Sequence, residues 1–481
     1  MNPAELRALL PYILLSATPV VVMVAISFGR HHRLVVGLTL LGLGATVASL
    51  VALASEPAQA PAGLLLVNRY TLFVIGLLAV AGAAVTLLAY SYLEARPEQR
   101  EEFYLLLLTA TLGAAVLAAS LNFISFFLGL EILTISLYAL IAYPRQDRRN
   151  FEASAKYLVL AASASAILLF GLALLYAALG TMAFAEMPAA AATAPSAEKG
   201  WLLAGLSLVI AGVGFKLALV PFHLWAPDIY EGAPAPATAL VATISKGSVV
   251  AWLLRFVAYA DLRGSVTFFA ILSAIAIVSM FAGNLLALFQ NNVKRLLAYS
   301  SISHLGYVLV ALLASGDQAA TAVSFYLVAY FVTNLGAFGV VTLLSGADRE
   351  ADRFDDYTGL FWRRPWLAGS LTAMLLSLAG IPLTAGFVGK FFLVLAGAGS
   401  ALWALVLALV LSSVIGLFYY LRLMVTMYLS PAQTKPESAA PARLLAGNVA
   451  LAGLLLLLLW LGLFPDALIS LINTAVISLT G

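Results

Sequence analysis

The chain has 481 residues, 63% of them hydrophobic and only 10% charged. Soluble domains carry roughly 25% charged residues, so this chain cannot dress a water-facing surface of ordinary size. It has no cysteine, which excludes disulfides, iron–sulfur clusters and thiolate metal sites, and its net charge of +3, with basic residues in short loops, gives nucleic-acid binding no support.

The expected class is therefore an all-α polytopic membrane protein. Crossing a bilayer as helix needs about 20 apolar residues. About fourteen such spans follow in chain order: 9–28, 33–54, 70–90, 103–120, 122–143, 153–179, 201–222, 237–258, 265–290, 296–315, 319–345, 366–397, 401–428 and 443–464. The first, within "MNPAELRALLPYILLSATPVVVMVAISF", lacks a basic leader and reads as a retained helix rather than a signal peptide. The stretch 187–200, "MPAAAATAPSAEKG", reads as a small, flexible loop, and the tail after Pro465 as a short interfacial segment.

Loop charge supports the count. Odd-numbered loops hold fifteen of the 25 Lys and Arg, among them Arg145, Lys435 and Arg443; even-numbered loops hold Arg69, Lys199 and Arg263. The positive-inside rule then puts the odd loops in the cytoplasm and both termini outside.

Ionisable residues within spans are costly and mark function by default. Glu131 ("SFFLGLEILTISLY") is midway along the fifth span, Lys216 in the seventh, Lys246 ("ATISKGSVV") in the eighth, His304 ("YSSISHLGYV") in the tenth and Lys390 ("GFVGKFF") in the twelfth. Burial favours the uncharged form of an amine, which is what a proton-relay group needs. A Glu131–Lys216 pair that only fixes helix register is the bland alternative, but no other deep acid exists to pair Lys246 and Lys390. Lys156 lies four residues after Glu152, so a local ion pair and a transport role are both open. His223 is likewise open between a structural bond and a relay. Arg255 and Arg422 read as snorkelling cations near span ends, and His31 and His32 as solvated loop residues. Tyr299, Ser300, Ser301 and Ser303 read as hydroxyls that satisfy backbone or water.

Pro221 interrupts the seventh span and Pro382 the twelfth, at corresponding places in two five-helix blocks, spans 4–8 and 9–13. Helices broken at matching positions point to a repeat and to a site at the breaks. Five is odd, so the second block must be inverted relative to the first. The organisation expected is an N-terminal three-helix segment (1–100), a first repeat (101–260), a second repeat (261–430) and a C-terminal helix with a short tail (431–481).

The stretches "FFLGLEILTISLYAL", "FEASAKY", "GFKLALVPFHLWAPDIYEGAPAP", "NNVKRLLAYSSISHLGY", "LSLAGIPLTAGFVGKFF" and "IGLFYYLRLM" carry a resemblance. The chain resembles the antiporter-like, proton-pumping subunits of bacterial NADH:quinone oxidoreductase (complex I). Among these it is closest to the N type, because the M type carries glutamate where Lys390 stands and the L type has a long lateral helix. The resemblance implies fourteen helices with inverted repeats and broken seventh and twelfth helices. It also implies a proton-transfer axis of Glu131, Lys216, Lys246 and Lys390, with His223, His304 and Lys156 in secondary roles. No cofactor is expected in this chain; NADH, FMN, iron–sulfur clusters and quinone belong to partner subunits. Expected neighbours are the M-type antiporter-like subunit, the small membrane subunits and lipids, in a bacterial inner membrane with both termini periplasmic. Two other readings stand beside this one: a subunit of a cation/proton antiporter of related fold, and a scaffold whose charges only fix assembly.

Overall fold

The computed structural model describes residues 3–96, 100–143, 148–195, 198–260, 262, 265–347, 349–430 and 445–479. Arg145, Arg263, Lys435 and Arg443, used in the loop-charge argument, lie outside the described residues. Among the described residues, thirteen helices are long and apolar enough to span a bilayer, and two shorter ones, Pro365–Ala379 and Ala385–Gly399, together occupy the place of the twelfth. The fold is thus the expected all-helical one with about fourteen spans.

Burial is distributed unevenly. The eighth span (Ala235–Tyr259) and the tenth (Val293–Leu313) are wholly surrounded by other helices, and the eleventh (Gln318–Leu344) nearly so. The first (Leu10–Phe28), ninth (Val266–Leu288) and fourteenth (Leu445–Leu463) leave most of their surface facing outward. Polar side chains on the eighth, tenth and eleventh spans are therefore removed from lipid, the only place where they are tolerated within a bilayer.

The two repeats share contacts at one constant interval along the chain. Asn122 caps the fifth span (Phe123–Ile141) by accepting from Ser125 N, and Asn292 caps the tenth by accepting from Arg295 N. Each cap sits on a short backbone ladder. Phe123 N donates to Met182 O and Phe184 N to Leu121 O; Val293 N donates to Asp352 O and Phe354 N to Asn291 O. Gly113 and Gly283 occupy equivalent crossings. A Cβ on Gly113 would lie 2.5 Å from Leu133 N, and one on Gly283 2.7 Å from Ser303 N. Only glycine lets the fourth span (Glu102–Ala119) and the ninth pack this closely against their neighbours.

Three local expectations change. Residues Met187–Thr193 of the supposed loop are helical. The seventh span does not end near 222 but resumes as Trp225–Gly232. The tail forms a helix, Asp466–Val476, that buries Ile472, Ala475 and Val476, and Thr321 Oγ1 holds it by donating to Asn473 Oδ1 at 2.8 Å.

Candidate functional site

Both broken helices end their first halves in the same way. The seventh runs Lys199–Leu217, breaks over residues 218–224 around Pro221, and resumes at Trp225. The twelfth runs Pro365–Ala379, breaks over 380–384 around Pro382, and resumes at Ala385. Leu219 N bonds back to Gly214 O and Ile381 N to Leu376 O, the six-residue closure of a Schellman end. The left-handed residue this closure needs is Ala218 (φ 58°) in one and Gly380 (φ 83°) in the other. A helix end leaves carbonyls without intrahelical partners, and its dipole favours a cation there.

Lysines stand at both ends. Lys390, on the second half-helix, donates to Leu378 O at 2.8 Å, Ala379 O at 3.0 Å and Ser413 Oγ at 2.6 Å. A Cβ on Gly380 would sit 2.8 Å from Lys390 Cδ, so glycine is favoured there for room as well as for its left-handed φ. Lys216 lies in the last turn of its half-helix, and the Phe215 carbonyl, which accepts from Ala218 N at 2.9 Å, also accepts from Trp225 Nε1 at 2.8 Å. The Lys216 ammonium donates to Thr134 Oγ1 at 2.5 Å. Glu131 does not pair with it: among the described residues no ion pair within 4.0 Å joins them, and Glu131 Oε1 accepts from Ser165 Oγ at 2.6 Å.

Between the breaks lies a run of buried hydroxyls. Lys246 follows a π-helical segment, Val241–Ser245, a distortion that often marks functional positions. Its ammonium donates to Ser301 Oγ at 2.6 Å, Ser301 Oγ and Tyr330 OH are hydrogen-bonded at 2.6 Å, and the ammonium lies 5.2 Å from the Tyr230 ring centre. His304 Nδ1 bonds Tyr326 OH at 2.7 Å and Nε2 bonds Tyr420 OH at 3.2 Å; Tyr420 OH also bonds Ser300 Oγ. The Lys390 ammonium lies 5.2 Å from the ring centre of Tyr307. The structure thus brings Lys246 and Ser301 together, ties His304 to the eleventh and thirteenth spans, and lodges Lys216 and Lys390 at the two breaks. In the repeat frame set by Asn122 and Asn292, Ser301 stands where the first repeat has Glu131, and His304 where it has Thr134.

The secondary residues divide. His223 lies inside the seventh-helix break, 8% exposed, with neither ring nitrogen bonded among the described residues. Lys156 is peripheral: it pairs with Glu152 at 2.8 Å and Asp228 at 3.3 Å on a half-exposed face, and Arg295 also holds Asp228 at 2.7 Å.

Two expectations are corrected. Arg255 does not snorkel. It is fully buried and donates to Ala118 O at 2.7 Å and Thr71 Oγ1 at 2.7 Å, closing the C-terminal end of the fourth span. Arg422 does the equivalent for the ninth span, donating to Leu288 O at 2.9 Å and to Gln290 O, although it is exposed. His32 is not solvated: its ring bonds Glu94 at 2.7 Å and Tyr104 OH at 2.8 Å.

Sequence reasoning missed Thr134, Ser165, Ser413 and the tyrosines. Their hydroxyls look ordinary in an apolar helix, and only proximity to an ammonium or imidazole sets them apart. It also missed Glu350, outside the spans. Its carboxylate accepts from Lys294, from Tyr92 OH at 2.6 Å and from Ala235 N at 2.8 Å. Burial pushes that carboxyl up, but the Lys294 charge and these bonds outweigh it and hold it below the ordinary range.

Fold and site together define a polytopic membrane protein of the antiporter-like class, with inverted repeats around two broken helices. Residues 120–416 match the family described as NADH:quinone oxidoreductase/Mrp antiporter, TM. The NADH-quinone oxidoreductase subunit N of Methylococcus capsulatus is 48% identical over 473 residues, covering 98% of this chain and 95% of that one. The subunit N of Nitrosospira multiformis is 50% identical over 491 residues, covering 98% and 96%. A chain of respiratory complex I from Thermus thermophilus with bound aureothin superposes with TM-score 0.81 at 30% identity, covering 96% of this chain and 99% of that one. A chain of the Mrp complex from Dietzia sp. DQ12-45-1b superposes at 0.86, covering 100% and 98%, but at 22% identity it shows the fold alone. The chain belongs to the NADH:quinone oxidoreductase/Mrp antiporter family and, within it, to the subunit N family of NADH-quinone oxidoreductases.

Proposed function

We propose that this chain is a proton-translocating membrane-arm subunit of an NADH:quinone oxidoreductase. Protons pass along Glu131, Lys216, Lys246, His304 and Lys390, with His223 lining the first break, while quinone reduction takes place in other subunits. The observation that carries this reading is that, among the described residues, three buried ammoniums are held by hydroxyl or carbonyl oxygens, with no counter-ion within 4.0 Å. Oxygen ligands of this kind stabilise a charge without locking it, so a small change in a neighbouring charge is enough to move a proton. Moving one charge against 100 mV requires about 2.3 kcal/mol. A two-unit change in a group's proton affinity corresponds to about 2.7 kcal/mol, so one local rearrangement is of the right size.

The chain carries no redox group in this reading; NADH, FMN, iron–sulfur clusters and quinone belong to its partners. Its neighbours are other membrane-arm subunits, the M-type subunit among them, in a bacterial inner membrane with both termini periplasmic. Lys156 tunes charge at the helix surface rather than carrying protons. The test is NADH-driven proton pumping by the whole complex in proteoliposomes, with Lys216→Ala and Glu131→Ala. The expected result is an assembled complex with pumping lost or strongly impaired. Full pumping in both variants contradicts the proposal, and pumping that depends on sodium and not on NADH favours a cation antiporter.

A further inference from the structure

We infer that Thr134 and Ser165 are positioning residues that hold Glu131 and Lys216 apart as two separately satisfied charges. The inference rests on the proton axis proposed above and assigns two groups that neither composition nor the resemblance singled out.

The geometry is specific. Thr134 lies three residues past Glu131, on the same face of the fifth span and about 4.5 Å further along its axis. The Lys216 ammonium binds the threonine hydroxyl at 2.5 Å and not the carboxylate one turn away. Hydroxyls in apolar helices commonly bond backward to the preceding turn. Thr134 does so, donating to Leu130 O at 2.5 Å. That bond commits its only proton and leaves its lone pairs as the ligand for Lys216. A hydroxyl in this state accepts from an ammonium and has nothing to donate to a neutral amine. Ser165, on the sixth span (Arg148–Leu179), is the converse. Its proton goes to Glu131 Oε1 at 2.6 Å, so it serves the carboxylate as donor. One hydroxyl therefore suits the ammonium and the other the carboxylate, and neither charge needs direct contact with the other.

The internal repeat supplies a second observation. Thr134 stands at the position that His304 occupies in the second repeat, and His304 also joins neighbouring helices through side-chain bonds. Both repeats thus place a hydrogen-bonding node at this point. Thr134 is fully buried and Ser165 nearly so, so water does not readily replace them.

Without the Thr134 hydroxyl the ammonium loses its ligand, and the Glu131 carboxylate, one turn away on the same helix face, is the opposite charge set to replace it. The pair then closes and Lys216 retains its proton. The test uses the whole complex in proteoliposomes with Thr134→Val, Thr134→Ser and Ser165→Ala. The infrared carboxylate band of Glu131, assigned with Glu131→Gln, is read beside NADH-driven pumping. Thr134→Val is expected to lower pumping about tenfold, the worth of one charge-assisted hydrogen bond, with a shifted Glu131 band, and Thr134→Ser to restore both. Ser165→Ala is expected to shift the band in the same sense with a smaller loss.

Wild-type pumping with an unshifted band in Thr134→Val overturns the inference, as does equal loss in the Val and Ser variants. Should Thr134→Val fail to assemble, an unshifted band and normal pumping in Ser165→Ala overturn it. Lys216→Ala separates the two claims. Full pumping there removes the proton axis itself, whereas impaired pumping there beside a wild-type Thr134→Val removes only the role of the hydroxyls.

Discussion

The first and second repeats share a frame and differ in charge. Asparagine caps, backbone ladders, close glycine crossings, Schellman breaks and arginine-capped helix ends recur in both. The ionisable groups do not. The first repeat has Glu131 where the second has Ser301, and its lysine precedes the helix break while Lys390 follows it. The charged pin Lys294–Glu350 falls where the first repeat, at the same interval, has Ile124 and Gly180. Repetition thus sets where polar groups are tolerated, and each repeat fills those places with its own chemistry. The first retains an acid one turn from the hydroxyl that holds its lysine; the second holds its lysine on the carbonyls of its own broken helix and on Ser413.

The largest stability effect is expected at the pin that only the second repeat has. Lys294 is 1% exposed, so Glu350→Gln strips a buried ammonium of its counter-charge and costs about 3 kcal/mol. Because the folded carboxyl is held below its ordinary range, this contribution is present above that range and disappears only as pH falls through the lowered value. Thermal inactivation midpoints of wild type and variant should differ by a constant amount at neutral pH and converge only in acid. Convergence at neutral pH would mean that the pair is not charged.

Next come the paired arginines. Arg255→Leu leaves the buried Ala118 carbonyl without its donor, a loss of about 1–3 kcal/mol. Arg422→Leu, exposed to water that can replace it, should stay within about 0.5 kcal/mol. The yield of assembled complex reads this asymmetry, and equal effects would break it. The helix breaks sharpen the comparison further. Gly380→Ala forces a left-handed alanine, about 1–2 kcal/mol, against Lys390 as well, whereas Ala218→Gly relieves the same strain and should raise the inactivation midpoint. The smallest effect belongs to Lys156→Ala, within about 0.5 kcal/mol, because its ion pairs are half-exposed.

Much of this was legible in the sequence because a bilayer penalises charge so heavily. Glu131, Lys216, Lys246 and Lys390 stand out in apolar runs, and Pro221 and Pro382 mark breaks that no uniform helix would tolerate. The span count follows from the same penalty. What charge alone does not reveal is who holds each cation. Lys216 looked as if it should bond Glu131 and bonds Thr134 instead; Arg255 looked like a snorkelling residue and proves to be a buried helix cap. Those outcomes depend on how helices face one another, and a threonine beside a lysine is indistinguishable in one dimension from a threonine bonding its own backbone.

Lys246 joins the two repeats through Ser301, has no acid partner within 4.0 Å among the described residues, and is the group on which the proposed proton axis depends most directly. The decisive measurement is NADH-driven proton pumping by the complete complex carrying Lys246→Ala, normalised to assembled complex. The account predicts a loss of about tenfold or more, corresponding to at least about 1.4 kcal/mol, with the complex intact. Wild-type pumping by a fully assembled Lys246→Ala complex would contradict it.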